Sequence, residues 1–307
     1  MALKSVLSAA QFTREDLDRI LELSRQIELE LQKRKTIPRL GDYVLATLFF
    51  EPSTRTRLSF EAAMHRLGGK VISSVGVQFS SLAKGETLYD TLKMVEAYSD
   101  ICAIRHPVEG ASQVAAANIK IPVINAGDGA GEHPTQALLD LYTIEKHCQI
   151  SRNRLKIAFI GDIKYGRTIH SLIQLLWHYD CELVFISPPE LRLGERYIRL
   201  LQENKVIYTE TENIEALLQC DVAYVTRIQE ERFADHREYE RFKDRYIVNR
   251  SLVERAERKL IVMHPLPRLS EVSTDLDDHP AGVYFDQAQN GLYVRMALLL
   301  ELLGVKL

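Results

Sequence analysis

Hydrophobic residues along the chain change repeatedly from a helical spacing to short continuous runs. The first helical stretch carries apolar residues at intervals of three and four, at Leu17, Ile20, Leu21, Ile27 and Leu31. This spacing predicts an amphipathic helix. Thr13 and Asp16 stand three residues apart just before it, as they do in a capping box, and Pro38 follows it. The pattern therefore predicts a capped helix that begins near residue 14 and ends before the proline.

After this helix, predicted strands and helices alternate in two series. In the first series, strands are predicted at residues 43–50, 71–72, 101–104 and 122–125, and helices at residues 58–67, 88–98, 112–118 and 135–148. In the second series, strands are predicted at residues 155–160, 182–187, 206–209, 222–226 and 260–263, and helices at residues 169–179, 194–204, 214–219 and about 290–303. Such alternation is typical of parallel sheets covered by helices.

The sequence therefore predicts an α/β protein with two domains, each a parallel sheet flanked by helices. The expected domains are residues 1–149 and 150–289, and the C-terminal helix, at about residues 290–307, is expected to return to the first domain. Ligands of open parallel sheets bind beyond the carboxyl ends of the strands. The polar residues that follow each strand are therefore the candidates for chemistry.

Composition and charge narrow the class of protein. The chain has 307 residues and a formal net charge of −3, which gives no reason to expect a nucleic acid partner. No apolar run approaches the length of a membrane span, and the start lacks a signal peptide, so a cytoplasmic protein without a membrane partner is expected. The four cysteines form no C-x-x-C pair, which favours buried, reduced thiols over a metal site or disulfides.

The segment at residues 49–61 carries the strongest chemical signal. A hydrophobic strand ends, Pro52 forces a turn, and Ser53, Thr54, Arg55 and Thr56 fall where the next helix begins. Free backbone N–H groups at a helix N-terminus favour an anion, and hydroxyls and a guanidinium add further donors suited to phosphate. This density of donors favours an anion site over an ordinary helix cap.

A second segment, residues 161–168, admits a different reading. It has the glycine spacing of a phosphate-binding P-loop, follows a predicted strand and opens a helix, but Arg167 stands where a P-loop has lysine. Because arginine and lysine are not interchangeable at such a site, a nucleoside triphosphatase is the rival interpretation rather than the favoured one. A dinucleotide-binding loop is weaker still, since Ile163 replaces its second glycine. A non-catalytic binding protein with two lobes remains a third alternative.

Seven segments together resemble the transcarbamylase family. They follow one another in the order that this family uses, at residues 51–57, 81–86, 104–107, 133–136, 161–168, 226–229 and 264–268. The resemblance spans nearly the whole chain. It implies a carbamoyltransferase, of the enzyme class EC 2.1.3, that takes its carbamoyl group from carbamoyl phosphate and needs neither a cofactor nor a metal.

The later segments favour aspartate over ornithine as the acceptor. Ornithine enzymes of this family carry His-Cys-Leu-Pro, whereas this chain has His-Pro-Leu-Pro at residues 264–267. Arg167, Arg227 and Arg268 follow predicted strands, and arginines suit an acceptor with two carboxylates while repelling a cationic one. The expected reaction carbamoylates the amino group of L-aspartate, giving N-carbamoyl-L-aspartate and phosphate. In the family this is an early committed step of de novo pyrimidine (UMP) biosynthesis.

The resemblance also implies roles for individual residues. The catalytic residues are expected to be Arg55, Thr56, Arg105 and His133. The same four are expected to bind carbamoyl phosphate together with Ser53, Thr54, Gln136, Leu266 and Pro267. Aspartate is expected to be bound by Lys84, Arg167, Arg227 and Gln229. Glu51 is expected to pair with Arg105 or Arg167.

The family further implies that the site is shared between chains. Ser81 and Lys84 are expected to reach in from the neighbouring subunit of a cyclic homotrimer. Whether a separate regulatory chain docks on this trimer is left open by the sequence.

Overall fold

The structure is a computed structural model that describes residues 3–76, 81–228, 239, 242 and 245–307. The chain divides into two compact units. The first unit comprises Met1–Tyr142 and Gln289–Leu307, and the second comprises Thr143–Ala288. The boundary thus lies near residue 142 and again near residue 289, so the C-terminal residues belong with the first unit.

The first unit is built on a parallel sheet of four strands. These are β1 (Val44–Phe49), β2 (Lys70–Val75), β3 (Ile101–His106) and β4 (Val123–Asp128), in the order β2-β1-β3-β4. The helices of this unit are α1 (Arg14–Lys33), α2 (Thr54–Arg66), α3 (Leu88–Tyr98), α4 (Ala111–Asn118) and the first part of α5 (Pro134–Cys148). Alternate residues of the strands, such as Ala46 and Leu48, share a buried apolar cluster with Leu92 of α3 and Ala115 of α4. Alternate side chains of these strands therefore face the apolar cluster, as expected for a pleated sheet.

The second unit is built on a parallel sheet of five strands. These are β5 (Leu155–Ile160), β6 (Cys181–Ile186), β7 (Ile207–Thr211), β8 (Val222–Val225) and β9 (Ile261–Met263), in the order β7-β6-β5-β8-β9. Its helices are the end of α5, α6 (Arg167–Leu176), α7 (Glu195–Glu203), the short α8 (Arg250–Val253) and the start of α9 (Tyr284–Leu303). The predicted fold class, two helix-flanked parallel sheets with a returning C-terminal helix, is confirmed.

Each sheet reverses its winding direction once, next to its first strand. In the first unit, the chain passes from β1 outward to β2 on one side, and from β3 outward to β4 on the other. In the second unit, β5 leads to β6 on one side and β8 leads to β9 on the other. A crevice forms outside the carboxyl ends of the strands at such a switch point, and ligands of open α/β sheets bind there. The β1/β3 and β5/β8 strand ends are therefore the places to look for a site.

Several elements differ from the sequence-based prediction. Helix α2 begins at Thr54 rather than near residue 58, because its first turn is polar and carries no apolar pattern. The short helix predicted at residues 214–219 is present and is a 3-10 helix, Ile214–Gln219, whereas the four-residue α8 was not predicted because it is too short to show a period.

The C-terminal helix begins at Tyr284, six residues before the predicted start near residue 290. Asn290 and Gly291 form a dipeptide typical of turns, but both lie inside α9, and Asn290 is fully buried. A Cβ atom added to Gly291 would lie 2.3 Å from Nη1 of Arg295. The segment is therefore helical despite its local turn preference, and the absence of a side chain at Gly291 makes room for Arg295.

The described cysteines are all free. Cys102, Cys181 and Cys220 are buried, as predicted, and burial raises the pKa of each of these thiols to about 12. They thus behave as small apolar side chains rather than as nucleophiles. Among the residues that the structure describes, no helix combines the length and the apolar character needed to cross a lipid bilayer.

Candidate active site

The switch point of the first sheet gathers most of the predicted donor-binding residues. Phe49, the last residue of β1, stands in register with Arg105 near the end of β3. The backbone N–H of Phe50 donates to the carbonyl oxygen of Arg105 over 2.9 Å. The two strand ends are therefore held side by side where the segment at residues 50–57 leaves the sheet.

Helix α2 opens directly onto this edge. Ser53 is its N-cap residue in an extended conformation, and its hydroxyl makes no capping hydrogen bond. Thr54, Arg55 and Thr56 form the first turn, whose N–H groups cannot be used within the helix. Thr56 is buried, and burial lowers the pKa of the Arg55 guanidinium from its usual value. The turn therefore concentrates donors and positive potential, which suits an anion.

Arg105 is the buried cation of this edge. Its side chain is almost enclosed, and Nη2 lies 2.9 Å from Oε2 of Glu51, which confirms the predicted pairing of these two residues. Its Nη1 also donates to the carbonyl oxygen of Ala126 in β4 over 3.4 Å. The guanidinium of Arg105, which lies on β3, is thus held by groups from the two neighbouring strands, Glu51 after β1 and Ala126 in β4.

Gly127 brings Arg105 and His133 together. Its φ of +118° is in a region that favours glycine, and a Cβ atom there would lie 2.8 Å from Nη1 of Arg105 and 3.6 Å from Cδ2 of His133. Both of these predicted site residues therefore pack against the bare Cα of Gly127. Sequence reasoning did not single out Gly127; the signal was a glycine near the end of a strand, where close backbone approach is common.

Helix α5 begins at the same edge, after the loop that leaves β4. The carbonyl oxygen of His133 accepts the N–H groups of Gln136 at 3.0 Å and Ala137 at 3.1 Å, so His133 lies at the helix start and is itself buried. The Asp128 carboxylate closes the loop by accepting the N–H of Glu132 at 2.8 Å and of Gly110 at 3.0 Å. The first unit thus places His133 and Gln136 on the edge that also carries Arg105.

The switch point of the second sheet carries two of the predicted acceptor-binding arginines. Gly161, with a φ of +109°, follows β5, and a Cβ atom there would lie 2.2 Å from the carbonyl oxygen of Thr226, which follows β8. Arg227 is the next residue after Thr226, and Arg167 is the first residue of α6. Both arginines are half-exposed. The second unit thus carries one cation just after β8 and one at the start of the helix that follows the adjacent strand β5, and two cations suit a ligand with more than one carboxylate.

The loop after β9 carries Leu266 and Pro267, whose connecting peptide bond is cis. Nδ1 of His264 accepts the N–H of Leu266 over 2.8 Å. Nε2 of the same imidazole therefore carries the proton, and it donates to Oε1 of Glu271 over 2.8 Å. This buried pair fixes the backbone at Leu266, a role that sequence reasoning did not assign to either residue.

Arg268 differs from the other two post-strand arginines. Its guanidinium forms an ion pair with Asp277 and donates to the hydroxyl of Tyr284 over 2.8 Å. Its partners within the chain give it a structural role in the second unit.

Three further predicted residues lie around residue 81 and at residue 229. Lys84 ends a 3-10 helix, Ser81–Lys84, and its side chain is exposed. Ser81 begins this helix. Gln229 lies outside the described residues.

Two family models match the chain. The carbamoyl-P binding domain of aspartate/ornithine carbamoyltransferase matches residues 4–146, and the Asp/Orn binding domain of the same family matches residues 153–302. The chain belongs to the aspartate/ornithine carbamoyltransferase family. The resemblance inferred from seven ordered segments is thereby confirmed. The P-loop-like segment at residues 161–168 falls inside the second family domain, which removes the nucleoside triphosphatase interpretation.

Relatives within the carbamoyltransferase family match the chain over nearly its full length. The aspartate carbamoyltransferase catalytic subunit of Leptospira biflexa is 57% identical, over 98% of this chain and 97% of that protein. The solved catalytic subunit of M. jannaschii aspartate transcarbamoylase is 46% identical with a TM-score of 0.92, and the match covers 98% of each chain. Aspartate transcarbamoylase from Trypanosoma cruzi, solved in complex with carbamoyl phosphate and aspartate, is 38% identical with a TM-score of 0.90, over 96% of this chain and 94% of that chain.

Proposed function

We propose that this chain is the catalytic chain of an aspartate carbamoyltransferase, which transfers the carbamoyl group of carbamoyl phosphate to the amino group of L-aspartate. The products are N-carbamoyl-L-aspartate and phosphate. The observation that carries the proposal is the first switch point, where Arg105, His133 and the open N-terminus of α2 meet at one sheet edge in a member of this family. The Trypanosoma relative whose structure holds carbamoyl phosphate and aspartate supports the choice of substrates.

In this proposal the first unit supplies most of the groups that bind carbamoyl phosphate. The phosphate is held by Ser53, Thr54, Arg55 and the first-turn N–H groups of α2. The carbonyl oxygen is assigned to Thr56, Arg105 and His133, because negative charge grows on this oxygen as the amine attacks and fixed donors stabilise it. Gln136 and the backbone carbonyls of Leu266 and Pro267 are assigned to the carbamoyl NH2 group.

The bond changes follow from this placement. The amine nitrogen of aspartate attacks the carbonyl carbon, and the bond from that carbon to the phosphate oxygen then breaks. The amine loses one proton, and the departing phosphate, which gains negative charge, is the group assigned to accept it. Because Arg55 and Arg105 neutralise the charge that develops on the leaving group and the oxyanion, their contribution is largest in the transition state.

The second unit is assigned to the acceptor. Arg167, Arg227 and Gln229 would bind the two carboxylates of aspartate, with Lys84 added from a neighbouring chain. The positions of Arg167 and Arg227, in the segments that leave the adjacent strands β5 and β8, support this assignment, because two guanidinium groups match two carboxylates and disfavour a cationic acceptor.

We further propose a homotrimer in which Ser81 and Lys84 complete the site of the next subunit. The exposed side chain of Lys84 supports this. Large apolar side chains are also exposed on the first unit, at Leu58, Tyr89, Met94, Tyr98, Val108 and Val114. The expected place in pyrimidine biosynthesis, the cytoplasmic location and the independence from metals and cofactors stay predictions.

The acceptor assignment is tested by comparing acceptors and one variant. The wild-type chain should carbamoylate L-aspartate far faster than ornithine, and succinate should inhibit competitively against aspartate because it carries both carboxylates and no amine. Arg227→Ala should raise the KM for aspartate and lower kcat, with little change in the KM for carbamoyl phosphate. A colorimetric assay of N-carbamoyl-aspartate measures these constants.

Arg154→Ala is the matched control, since Arg154 is an exposed arginine of the same unit with only a long contact to Asp180, at 3.5 Å. It should leave all these constants unchanged. Faster carbamoylation of ornithine than of aspartate, or no inhibition by succinate at millimolar concentration, would contradict the proposed acceptor.

Gly127→Ala should impair both stability and activity. Its φ of +118° is strained for alanine, which should cost about 1–3 kcal/mol of unfolding free energy. The new methyl group would also displace the Arg105 guanidinium, so kcat/KM for carbamoyl phosphate should fall by at least about tenfold, the effect of losing one charged contact of about 1.4 kcal/mol. Urea unfolding and steady-state kinetics measure the two effects.

Two other glycines of the first unit separate these effects. Gly110 has a φ of +82° but no atom within 4 Å of an added Cβ, so Gly110→Ala should lose stability and keep activity. Gly41 has neither constraint, and Gly41→Ala should change neither property. Equal losses of activity in Gly127→Ala and Gly110→Ala would show that contact with Arg105 is not the cause.

A further inference from the structure

Gln136 donates a hydrogen bond to a buried carboxylate that the reaction itself does not use. Its Nε2 lies 2.8 Å from Oδ1 of Asp140, one turn further along α5. Asp140 has no exposed surface. A carboxylate in such a place needs compensation by a cation or by hydrogen bonds, because burial of a charge is costly.

Arg295 on α9 is a buried cation whose charge interacts with that of Asp140. Arg295 is only 3% exposed, and burial lowers the pKa of its guanidinium to about 10. The negative charge of Asp140 partly offsets this effect, because it favours the charged form of the guanidinium. The guanidinium also lies 5.0 Å from the centre of the Phe60 ring on α2 and 3.5 Å from Oγ1 of Thr135 on α5. Arg295 thus contacts the two helices whose N-termini carry the proposed donor-binding residues.

The packing around Arg295 is specific to it. Gly291 lies one turn earlier on α9, and any Cβ atom there would lie 2.3 Å from Nη1 of Arg295. The helix therefore has glycine at this position, and glycine in a helix interior lowers the stability of the helix by about 1 kcal/mol relative to alanine. The fold thus makes room for a buried cation near Asp140.

The chemistry of a carboxylate decides which way the Gln136 amide faces. The NH2 and carbonyl ends of a glutamine amide have nearly the same shape, so the surrounding hydrogen bonds select the orientation. An ionised carboxylate can only accept, and Asp140 therefore selects the NH2 end of Gln136. The carbonyl end, Oε1, is then the end left to accept a hydrogen bond from a ligand.

We propose that Asp140 and Arg295 are a positioning pair, which fixes the Gln136 amide with Oε1 as the acceptor and thereby selects a phosphate donor that carries an NH2 group. The proposal rests on the proposed function, in which Gln136 binds the carbamoyl NH2. A fixed acceptor forms a hydrogen bond with carbamoyl phosphate, whose NH2 group can donate. It forms no such bond with acetyl phosphate, which has a methyl group at that position, or with inorganic phosphate, which has no group there.

The test compares ligands that differ only at this group. In Asp140→Asn the side chain keeps its size, but it can donate as well as accept, so the Gln136 amide is no longer held in one orientation. The KM for carbamoyl phosphate should rise about tenfold, the effect of one lost hydrogen bond, while kcat changes much less. The Ki values of inorganic phosphate and acetyl phosphate, measured against carbamoyl phosphate, should stay at their wild-type values.

Two variants and one control make the result specific. Asp140→Glu keeps the charge near Arg295 but moves the carboxylate, and it should shift the ratio of KM to phosphate Ki in the same direction. Glu28→Gln removes a carboxylate that accepts from Tyr142, on the same helix α5, and should leave this ratio unchanged. In the background of Gln136→Ala, Asp140→Asn should have no further effect on the ratio, because the residue through which it acts is gone.

The outcomes separate the proposal from the function on which it rests. If the ratio stays at the wild-type value in both Asp140 variants, or if the KM for carbamoyl phosphate and the Ki of phosphate rise together, the pair has a structural role only and the proposal is wrong. If the wild-type chain forms no N-carbamoyl-L-aspartate, the proposed function itself is wrong.

Discussion

Arg55→Ala should abolish most of the carbamoyl transfer activity while leaving the fold intact. Arg55 lies in the first turn of α2, where it makes no ion pair among the described residues, so its loss should remove little stability. In the proposed reaction it neutralises the departing phosphate, and removal of such a charged donor costs at least about 3 kcal/mol of transition-state stabilisation, or about a hundredfold in kcat. Steady-state kinetics and thermal unfolding measure the two properties.

Three further variants calibrate this result. Arg55→Lys keeps the charge but loses the planar fork, and should recover only part of the rate. Ser53→Ala should cost less than Arg55→Ala, because the backbone N–H groups remain. Arg34→Ala removes an exposed arginine that pairs with Glu30 on α1 and should leave the rate unchanged. Near-normal turnover by purified Arg55→Ala protein would show that this arginine does not bind the leaving group.

Mixing two inactive variants should restore activity if the site is shared between neighbouring chains. Arg55→Ala and Lys84→Ala should each be nearly inactive as pure trimers. In a mixed trimer, one site of the three combines an intact Arg55 with an intact Lys84 from the next chain, whichever variant supplies two chains. Dissociation and random reassembly of equal amounts should therefore restore about a quarter of the wild-type activity, measured as N-carbamoyl-aspartate formed.

The matched control for this experiment uses a chain that carries both substitutions. Reassembled with Lys84→Ala, it should give no recovery, because no chain then supplies an intact Lys84. Native mass spectrometry confirms that mixed trimers have formed. Absence of recovery in confirmed mixed trimers would mean that Lys84 acts within its own chain or has no role.

Most of the fold could be predicted from the sequence because it is encoded locally. Each buried strand is a short apolar run, and Thr13 and Asp16 form the predicted capping box at the start of α1. The start of α9 could not be predicted in the same way. The dipeptide at residues 290–291 signals a turn, yet both residues lie inside the helix, where Asn290 is fully buried and the Arg295 side chain packs against Gly291 from one turn away. The local preference for a turn was wrong there, because burial in the folded protein outweighed it.

Some residues of the candidate site could likewise be predicted from local sequence, and others could not. Ser53, Thr54, Arg55 and Thr56 could be identified because they follow one another between a strand and a helix. Gly127, Asp140 and Arg295 could not, because their importance lies in what they contact. Gly127 meets Arg105 and His133 through space, and Arg295 lies more than 150 residues from the helix start that it contacts, at Thr135. A single sequence without its fold carries no signal for such pairs.

The separate switch points of the two sheets have a consequence for how this enzyme family can diversify. Each crevice belongs to a unit with its own sheet and its own buried cluster. In the proposed assignment, substitutions at the β5/β8 strand ends would therefore change the preferred amine without altering the donor-binding residues of the first unit. The donor-binding domain could then stay the same during evolution while the acceptor-binding domain changed. A family with one carbamoyl-P binding domain and a second domain that binds either aspartate or ornithine is the expected result.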